Sequence, residues 1–145
     1  MQKTAQLISL FILFTFGTTT TSIAQVTTKA ITDAFFALYA KDPGKAVEYA
    51  FSTNKYMLKK PEVVSNVKTQ LKSLSGVLGT YYGNELISDN SIAPSFREIK
   101  FLIKYDREPI QFTFLLYKPF NTWMVLNFAY NENLDKEIAG AEKTK

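Results

Sequence analysis

Apolar residues recur with a helical period in the first half of the chain and with a period of two in the second half. From Thr28 to Ala40 they stand three or four residues apart, a spacing that lines one face of a helix. A second helix is predicted to begin at Asp42 and Pro43, because aspartate is a preferred N-cap and proline is tolerated at the first helical position. Pro61 opens a third helix in the same way, and Gly76 is placed to end it.

Strand patterns follow the third helix. Val77 to Ile87 is a candidate strand, and its glycines, Gly79 and Gly83, indicate a bulge or strong curvature. The next strand alternates, and its apolar face consists of Ile99, Phe101, Ile103 and Tyr105. If Tyr105 pairs with Ile110 across a short turn, every pair between the two strands is apolar. The remaining pairs are then Ile103 with Phe112, Phe101 with Phe114 and Ile99 with Leu116.

The register of the last strand, in KPFNTWMVLNFAYN, depends on the length of the loop before it. A four-residue loop turns one set of residues inward, namely Trp123, Val125, Asn127 and Ala129. A five-residue loop turns the alternate set inward, namely Met124, Leu126, Phe128 and Tyr130. We favour the five-residue loop, because leaving an interior asparagine unpaired would cost about 1 to 3 kcal/mol.

The favoured register places Trp123 and Val125 on the outer face of the sheet, beside Leu115 and Tyr117. Together they would form an apolar patch larger than a monomer normally leaves to water. The patch has two interpretations: a protein interface or ligand groove, or a surface that a helix or the C-terminal tail covers.

Together these elements predict an α+β fold in which three N-terminal helices pack on a curved, antiparallel four-stranded sheet, as a cone-like roll. Four inward-facing aromatic residues are expected to line the pocket of the cone, namely Tyr105, Phe101, Phe112 and Phe35.

The N-terminus has the pattern of a secretory signal peptide over residues 1–24. Lys3 is basic, Leu7 to Phe16 is an apolar run, and Ser22 to Ala24 has small residues where a signal peptidase cleaves. No later segment reaches the roughly 20 apolar residues that span a bilayer, so no stable membrane anchor is expected. Because the chain has no cysteine for acylation, we expect release into the periplasm or the medium.

Removing 24 of the 145 residues leaves 121, a size that suits one domain, 25–145, with a short polar C-terminal tail. Without Lys3 the 17 basic residues become 16, against 13 acidic ones. This scattered surplus predicts no nucleic-acid binding, which requires clustered basic residues. The lack of histidine and cysteine removes the usual zinc and copper ligands, so neither a metal nor a cofactor is expected.

The order of elements resembles the nuclear transport factor 2-like superfamily, in particular its small secreted bacterial members of unassigned function. The resemblance covers most of Thr28 to Tyr130, including LGTYYGNELI as a curved first long strand and the closing hairpin ending in WMVLNFAYN. The superfamily includes ketosteroid isomerase, scytalone dehydratase and many non-catalytic modules, so the resemblance implies a fold and leaves the function open.

Catalytic members of the superfamily place a general base and hydroxyl donors inside the cone. In this chain Glu85 and Glu98 are the only carboxylates within the predicted strands, and Glu98 shares its face with two lysines, which favours a solvated position. Glu85 is therefore the candidate base, with Tyr81 on the same strand face if no bulge intervenes. A carboxyl group whose pKa is raised by an apolar pocket would suit proton transfer at carbon. The alternative is that Glu85 is a surface or turn residue.

Two functions of different class therefore remain. The first is a secreted, non-catalytic module that binds a small apolar ligand or a protein partner, with a homodimer through the sheet face as one form of partnership. The alternative is a cofactor-free enzyme of the isomerase or dehydratase kind, using Glu85 and tyrosines.

Overall fold

A computed structural model describes residues 27–132 and 134, and over these residues the chain is α+β, with helices followed by an antiparallel sheet, as the sequence predicts. The helices are α1 (Thr28–Tyr39), α2 (Pro43–Ser52) and α3 (Pro61–Leu78), with a 3-10 turn at Met57–Lys59. The strands are β1 (Tyr81–Ala93), β2 (Phe96–Tyr105), β3 (Ile110–Tyr117) and β4 (Met124–Asn131), adjacent in that order. The expected signal peptide and most of the C-terminal tail lie outside the described residues. Within the described part of the chain, no helix is long and apolar enough to cross a membrane.

The predicted helix starts are confirmed, whereas one helix end is not. The Asp42 side chain caps α2 by accepting hydrogen bonds from the backbone N–H groups of Gly44, at 2.8 Å, and Lys45, at 3.3 Å. Helix α3 begins at Pro61 but continues past Gly76 to Leu78. It ends at Gly79, whose φ of 89° favours glycine, because a β-carbon is strained in that conformation.

The hairpin between β2 and β3 has its predicted faces but not its predicted partners. Ile103 pairs with Ile110, Phe101 with Phe112 and Ile99 with Phe114, two residues away from the expected register. Tyr105 pairs with Tyr81 of β1 instead of with β3. A shift of two residues keeps every side chain on its face, so the hydrophobic pattern does not distinguish the two registers.

The inward faces that the favoured register predicts for β4 are wrong for the first half of the strand and right for the second half, although Phe128 pairs there with Phe114 instead of Phe112. Leu116 pairs with Val125, whereas Leu115 pairs with Asn127, so Leu126 is an extra, bulged residue. In a regular strand, residues an odd number of positions apart face opposite sides, as Val125 and Phe128 would. The bulge lets both face the helices, together with Trp123 and Tyr130. Asn127 is left exposed, so neither loop length alone describes the strand.

The two residues that follow helix α2 hold the bulged part of β4 in place. The backbone N–H of Val125 donates to the Thr53 hydroxyl at 2.9 Å, and its carbonyl accepts from the side chain of buried Asn54 at 3.0 Å. These bonds satisfy backbone groups at a position where the sheet ladder is disturbed.

Aromatic rings fill the space between α1 and the sheet. The Phe35 ring lies 5.0 Å from Phe114, 5.4 Å from Phe128 and 6.2 Å from Phe112, measured between centroids. Phe35, Phe112 and Phe114 are fully buried. The centre of the predicted cone is therefore a packed core.

Candidate functional site

A bulge in β1 separates the two residues that the sequence proposes as catalytic. Tyr81 pairs with Tyr105 and Gly83 with Lys104, so Tyr82 is an extra residue in the strand. Beyond it, Glu85 pairs with Leu102 on the outer face, whereas Tyr81 lies on the helix side. The condition that no bulge intervenes is not met, and the expectation that Glu85 and Tyr81 share a face is wrong.

Glu85 has the surroundings of a surface carboxylate. Its side chain is 58% exposed and its Oε1 lies 2.7 Å from Nζ of Lys104 on the neighbouring strand. Asn84 occupies the inward position instead, and its Oδ1 accepts a hydrogen bond from the Tyr81 hydroxyl at 3.0 Å. An amide cannot serve as a general base, so the inward side of β1 offers a hydrogen-bonding group at this position.

Three tyrosines converge where the end of α1 meets the start of β1 and the end of β2. The rings of Tyr39 and Tyr81 lie 5.3 Å apart and those of Tyr81 and Tyr105 lie 6.0 Å apart, both edge to face. The hydroxyls of Tyr39 and Tyr105 form a short, buried hydrogen bond in which either can donate. The pairing of Tyr81 with Tyr105 and the packing of α1 on the sheet bring the three together.

All three phenols are protonated near neutral pH, as an unperturbed tyrosine is, and burial raises their pKa values further. Desolvation raises the pKa of Tyr39 far above its usual value, and the hydrogen bond to Tyr105 raises it further. Burial raises the pKa of Tyr81 to about 12. The pKa of Tyr105 is also raised by burial, although the bond from Tyr39 opposes the shift. These groups therefore act as neutral hydrogen-bonding hydroxyls.

The tyrosines line one side of an open cleft of about 550 Å³, here called the tyrosine cleft. Its remaining walls come from the α1–α2 connection, the end of α3 and the loop after it, namely Ala40, Lys41, Pro43, Ser75, Gly79 and Thr80. Lys41 supplies a positive charge, and none of the described lining residues is acidic. The volume lies within the range of small-molecule sites in proteins, about 300 to 1,000 Å³.

The residues that the sequence assigns to a pocket divide between core and cavities. Phe35 and Phe112 are packed in the aromatic core, whereas Tyr105 lines the tyrosine cleft. Phe101 is half-buried and lines a second groove, of about 310 Å³, between the start of α1 and the β1–β2 hairpin. This groove carries both charges of the Lys29–Asp33 ion pair at its rim.

The predicted outer patch does not form as a set of four. Trp123, 8% exposed, and Val125, fully buried, belong to the core on the helix side. Leu115 and Tyr117 lie half-buried on the outer face, opposite Glu98 and Phe96 of β2. Association through this face stays a prediction, and it now depends on Leu115 and Tyr117 without the tryptophan.

Sequence reasoning missed Tyr39. It stands four residues after Phe35, which in turn stands four after Ile31, so it continues the buried stripe of α1. That spacing is a signal for burial, but nothing local indicates that the hydroxyl meets Tyr105, 66 residues away.

Comparisons of the chain with protein-family models, with curated proteins and with solved structures return no match.

Proposed function

We propose that this chain is an exported, non-catalytic binding module and that the tyrosine cleft is its small-molecule site. The observation that carries the proposal is the open cleft walled by three protonated tyrosines, two of them hydrogen-bonded to each other. Membership in the nuclear transport factor 2-like superfamily is part of the same proposal, and it is supported by the order of helices and strands.

The cleft suits a flat, apolar molecule that carries an anionic or carbonyl oxygen. Half-buried Tyr81 offers a ring edge and face for stacking, which is favourable at centroid distances of about 4.5 to 7 Å. The Tyr81 hydroxyl already donates to Asn84, and the hydroxyls of Tyr39 and Tyr105 bond to each other. The ammonium group of exposed Lys41 therefore supplies the charged donor for a ligand oxygen, and bonds to charged groups are the stronger kind. The packed core favours a ligand seated at this edge over one inside the cone.

Binding is better supported than catalysis. A general base must lie within hydrogen-bonding reach of the proton that it removes. Glu85 faces away from the cleft and contacts Lys104, and tyrosines whose pKa values are raised hold their protons at neutral pH. Among the described residues that line the cleft, none offers the carboxylate base that the enzyme alternative requires.

Titration with 1-naphthoic acid, an aromatic carboxylate, tests the proposal by amide chemical-shift mapping. We expect shifts around Tyr39, Tyr81 and Tyr105. Tyr81→Ala should weaken the affinity by about tenfold or more, and Lys41→Gln, at the exposed rim, should weaken it several-fold without affecting folding.

Tyr82→Ala is the matched control, because Tyr82 is the bulged neighbour of Tyr81 and is exposed. The Tyr82→Ala variant should bind 1-naphthoic acid with the same affinity as the unmodified chain. Shifts that map elsewhere, or equal losses for Tyr81→Ala and Tyr82→Ala, would contradict a site in the tyrosine cleft.

A further inference from the structure

Three connecting segments meet at the end of the molecule opposite the tyrosine cleft: residues 53–63, 92–96 and 117–124, here called the loop end. Thr53 and Asn54 bind both backbone groups of Val125, which ties the first segment to the start of β4. The backbone N–H of Lys118 donates to the Ser95 carbonyl at 2.8 Å, which ties the third segment to the second.

Helix α3 separates the loop end from the tyrosine cleft. It begins at Pro61 in the loop end and finishes at Leu78, whose carbonyl accepts from the Arg107 N–H at 3.0 Å, at the turn between β2 and β3. Its 18 residues span about 27 Å at 1.5 Å per residue. Gly79 and Tyr105, at that far end, line the cleft.

Large apolar side chains project into solvent from the loop end. Tyr56 is 58% exposed, Leu58 is 60% exposed and Phe120 is 84% exposed. Ile92, near the end of β1 and two residues before the hairpin turn, is also exposed. Tyr56 and Leu58 stand on the first segment, Ile92 on the second and Phe120 on the third, so they form separate protruding tips.

The tips are surrounded by positive charge. Across the three segments the sequence has four lysines, Lys55, Lys59, Lys60 and Lys118, and a single carboxylate, Glu62. The ammonium group of Lys55 lies 5.2 Å from the centroid of the Tyr56 ring, and that of Lys118 lies 5.2 Å from the ring of Trp123. Lysines next to exposed aromatic and aliphatic residues are typical of surfaces that enter the interface of an anionic bilayer.

We propose that the loop end docks on an anionic lipid surface. Tyrosine, leucine and phenylalanine tips enter the headgroup region, while the lysines contact lipid phosphates. A bilayer interface accommodates separate tips without a complementary shape, whereas a protein partner requires close packing around such anchors. The site is distinct from the binding function proposed above, and docking would leave the tyrosine cleft open to solvent.

The absence of cysteine from the chain permits a site-specific test. Single variants Leu58→Cys, Phe120→Cys and Val77→Cys are labelled with an environment-sensitive nitrobenzoxadiazole dye. Val77 is the matched control, because it is as exposed as Leu58 but lies at the far end of α3. On vesicles of phosphatidylglycerol and phosphatidylcholine we expect the dye at positions 58 and 120 to show blue-shifted emission and reduced quenching by iodide. The dye at position 77 should show neither change.

Charge dependence is tested by vesicle sedimentation of the full chain. Lys59→Gln combined with Lys60→Gln should weaken binding to phosphatidylglycerol vesicles by roughly 30-fold, about fivefold for each lysine. Lys45→Gln combined with Lys72→Gln, at the cleft end, is the control and should have little effect. High salt should weaken binding, and pure phosphatidylcholine vesicles should bind poorly.

Solvent-exposed labels at positions 58 and 120 on anionic vesicles would overturn the proposal, as would equal effects of the two lysine pairs. A different outcome is that the Lys59→Gln and Lys60→Gln pair weakens binding to polyglutamate, while the dyes at positions 58 and 120 remain exposed to water in the presence of vesicles. The loop end would then recognise an acidic protein. That outcome would also overturn the lipid assignment.

Discussion

Phe114 and Trp123 contribute to stability from the same core, although the sequence assigns them opposite faces. Phe114 is fully buried with its ring 5.0 Å from both Phe35 and Phe128, and Trp123 is 8% exposed. Truncating a buried large aromatic side chain typically costs about 3 to 5 kcal/mol. We therefore expect both Phe114→Ala and Trp123→Ala to lower the free energy of unfolding by this amount in urea melts.

Phe120→Ala is the control for these variants. It removes a ring from the same loop as Trp123, but the ring is 84% exposed, so the free energy of unfolding should change by less than about 0.5 kcal/mol. If the Trp123→Ala variant were as stable as the Phe120→Ala variant and self-associated more weakly, Trp123 would lie on the outer surface of the sheet and not in the core.

The buried phenol of Tyr39 predicts a loss of stability at alkaline pH. Burial raises its pKa above that of an unfolded tyrosine, about 10, so the folded chain keeps the proton where the unfolded chain releases it. The contribution of the Tyr39 phenol to the free energy of unfolding is complete below pH 10 and falls as the pH rises above 10. Tyr39→Phe should therefore lose less stability between pH 9 and pH 11 than the unmodified chain.

Urea melts at the two pH values measure this difference, and lysine titration affects both proteins alike. At neutral pH the same variant should be about 1 kcal/mol less stable, because the Tyr105 hydroxyl loses its partner. If the unmodified chain and the Tyr39→Phe variant lost the same free energy of unfolding between pH 9 and pH 11, the pKa of Tyr39 would not be raised in the folded chain.

At the level of elements, the sequence predicts periodicity well, and it indicates a bulge in β1, where Gly83 marks it, but not in β4. The buried faces of α1, β2 and β3, which contain Phe35, Ile103 and Phe112, follow from spacing alone. The extra residue Leu126 does not follow from spacing, because no glycine marks it and the bulge depends on the residues that pack on both faces of the strand. In β4 the unpredicted bulge buries Val125 and Phe128 together. In β1 the bulge lies next to Gly83, where the glycines indicate one, and it turns Glu85 outward, which decides the candidate site.

Glycine positions at the end of α3 give an element-scale prediction. Gly79 has a positive φ, and a β-carbon there would lie 2.8 Å from Cβ of Asp106. Gly79→Ala should lower the free energy of unfolding by about 1 to 3 kcal/mol. Gly76, three residues earlier and inside the helix, has open space at its β-carbon position.

Gly76→Ala is therefore the matched control and should raise the free energy of unfolding by about 0.4 to 1 kcal/mol, because alanine favours the helix. Urea melts distinguish the two variants, because the change in the free energy of unfolding should be negative for Gly79→Ala and positive for Gly76→Ala. Destabilisation by Gly76→Ala would mean that the helix ends at Gly76, as the sequence suggests.

At the scale of the whole molecule, the two proposed sites lie at opposite ends of α3. The tyrosine cleft depends on a hydroxyl pair that only the fold brings together, across 66 residues, so the sequence alone does not reveal it. The loop end depends on exposed residues near one another in sequence, such as Tyr56 and Leu58, yet its link to Phe120 needs the contacts with Val125. Both sites therefore combine local chemistry with long-range pairing.

Export is the remaining prediction at this scale, with cleavage after Ala24 so that the secreted protein begins at Gln25. Among the described residues, the buried apolar core runs from Ile31 to Phe128, so cleavage removes none of it. N-terminal sequencing of protein recovered outside the cytoplasm tests the cleavage site, and a chain that begins at Gln25 should unfold at the same urea concentration as the full chain. A retained Met1 in a cytoplasmic product would contradict export, and a lower midpoint for the shorter chain would mean that residues 1–24 contribute to the folded domain.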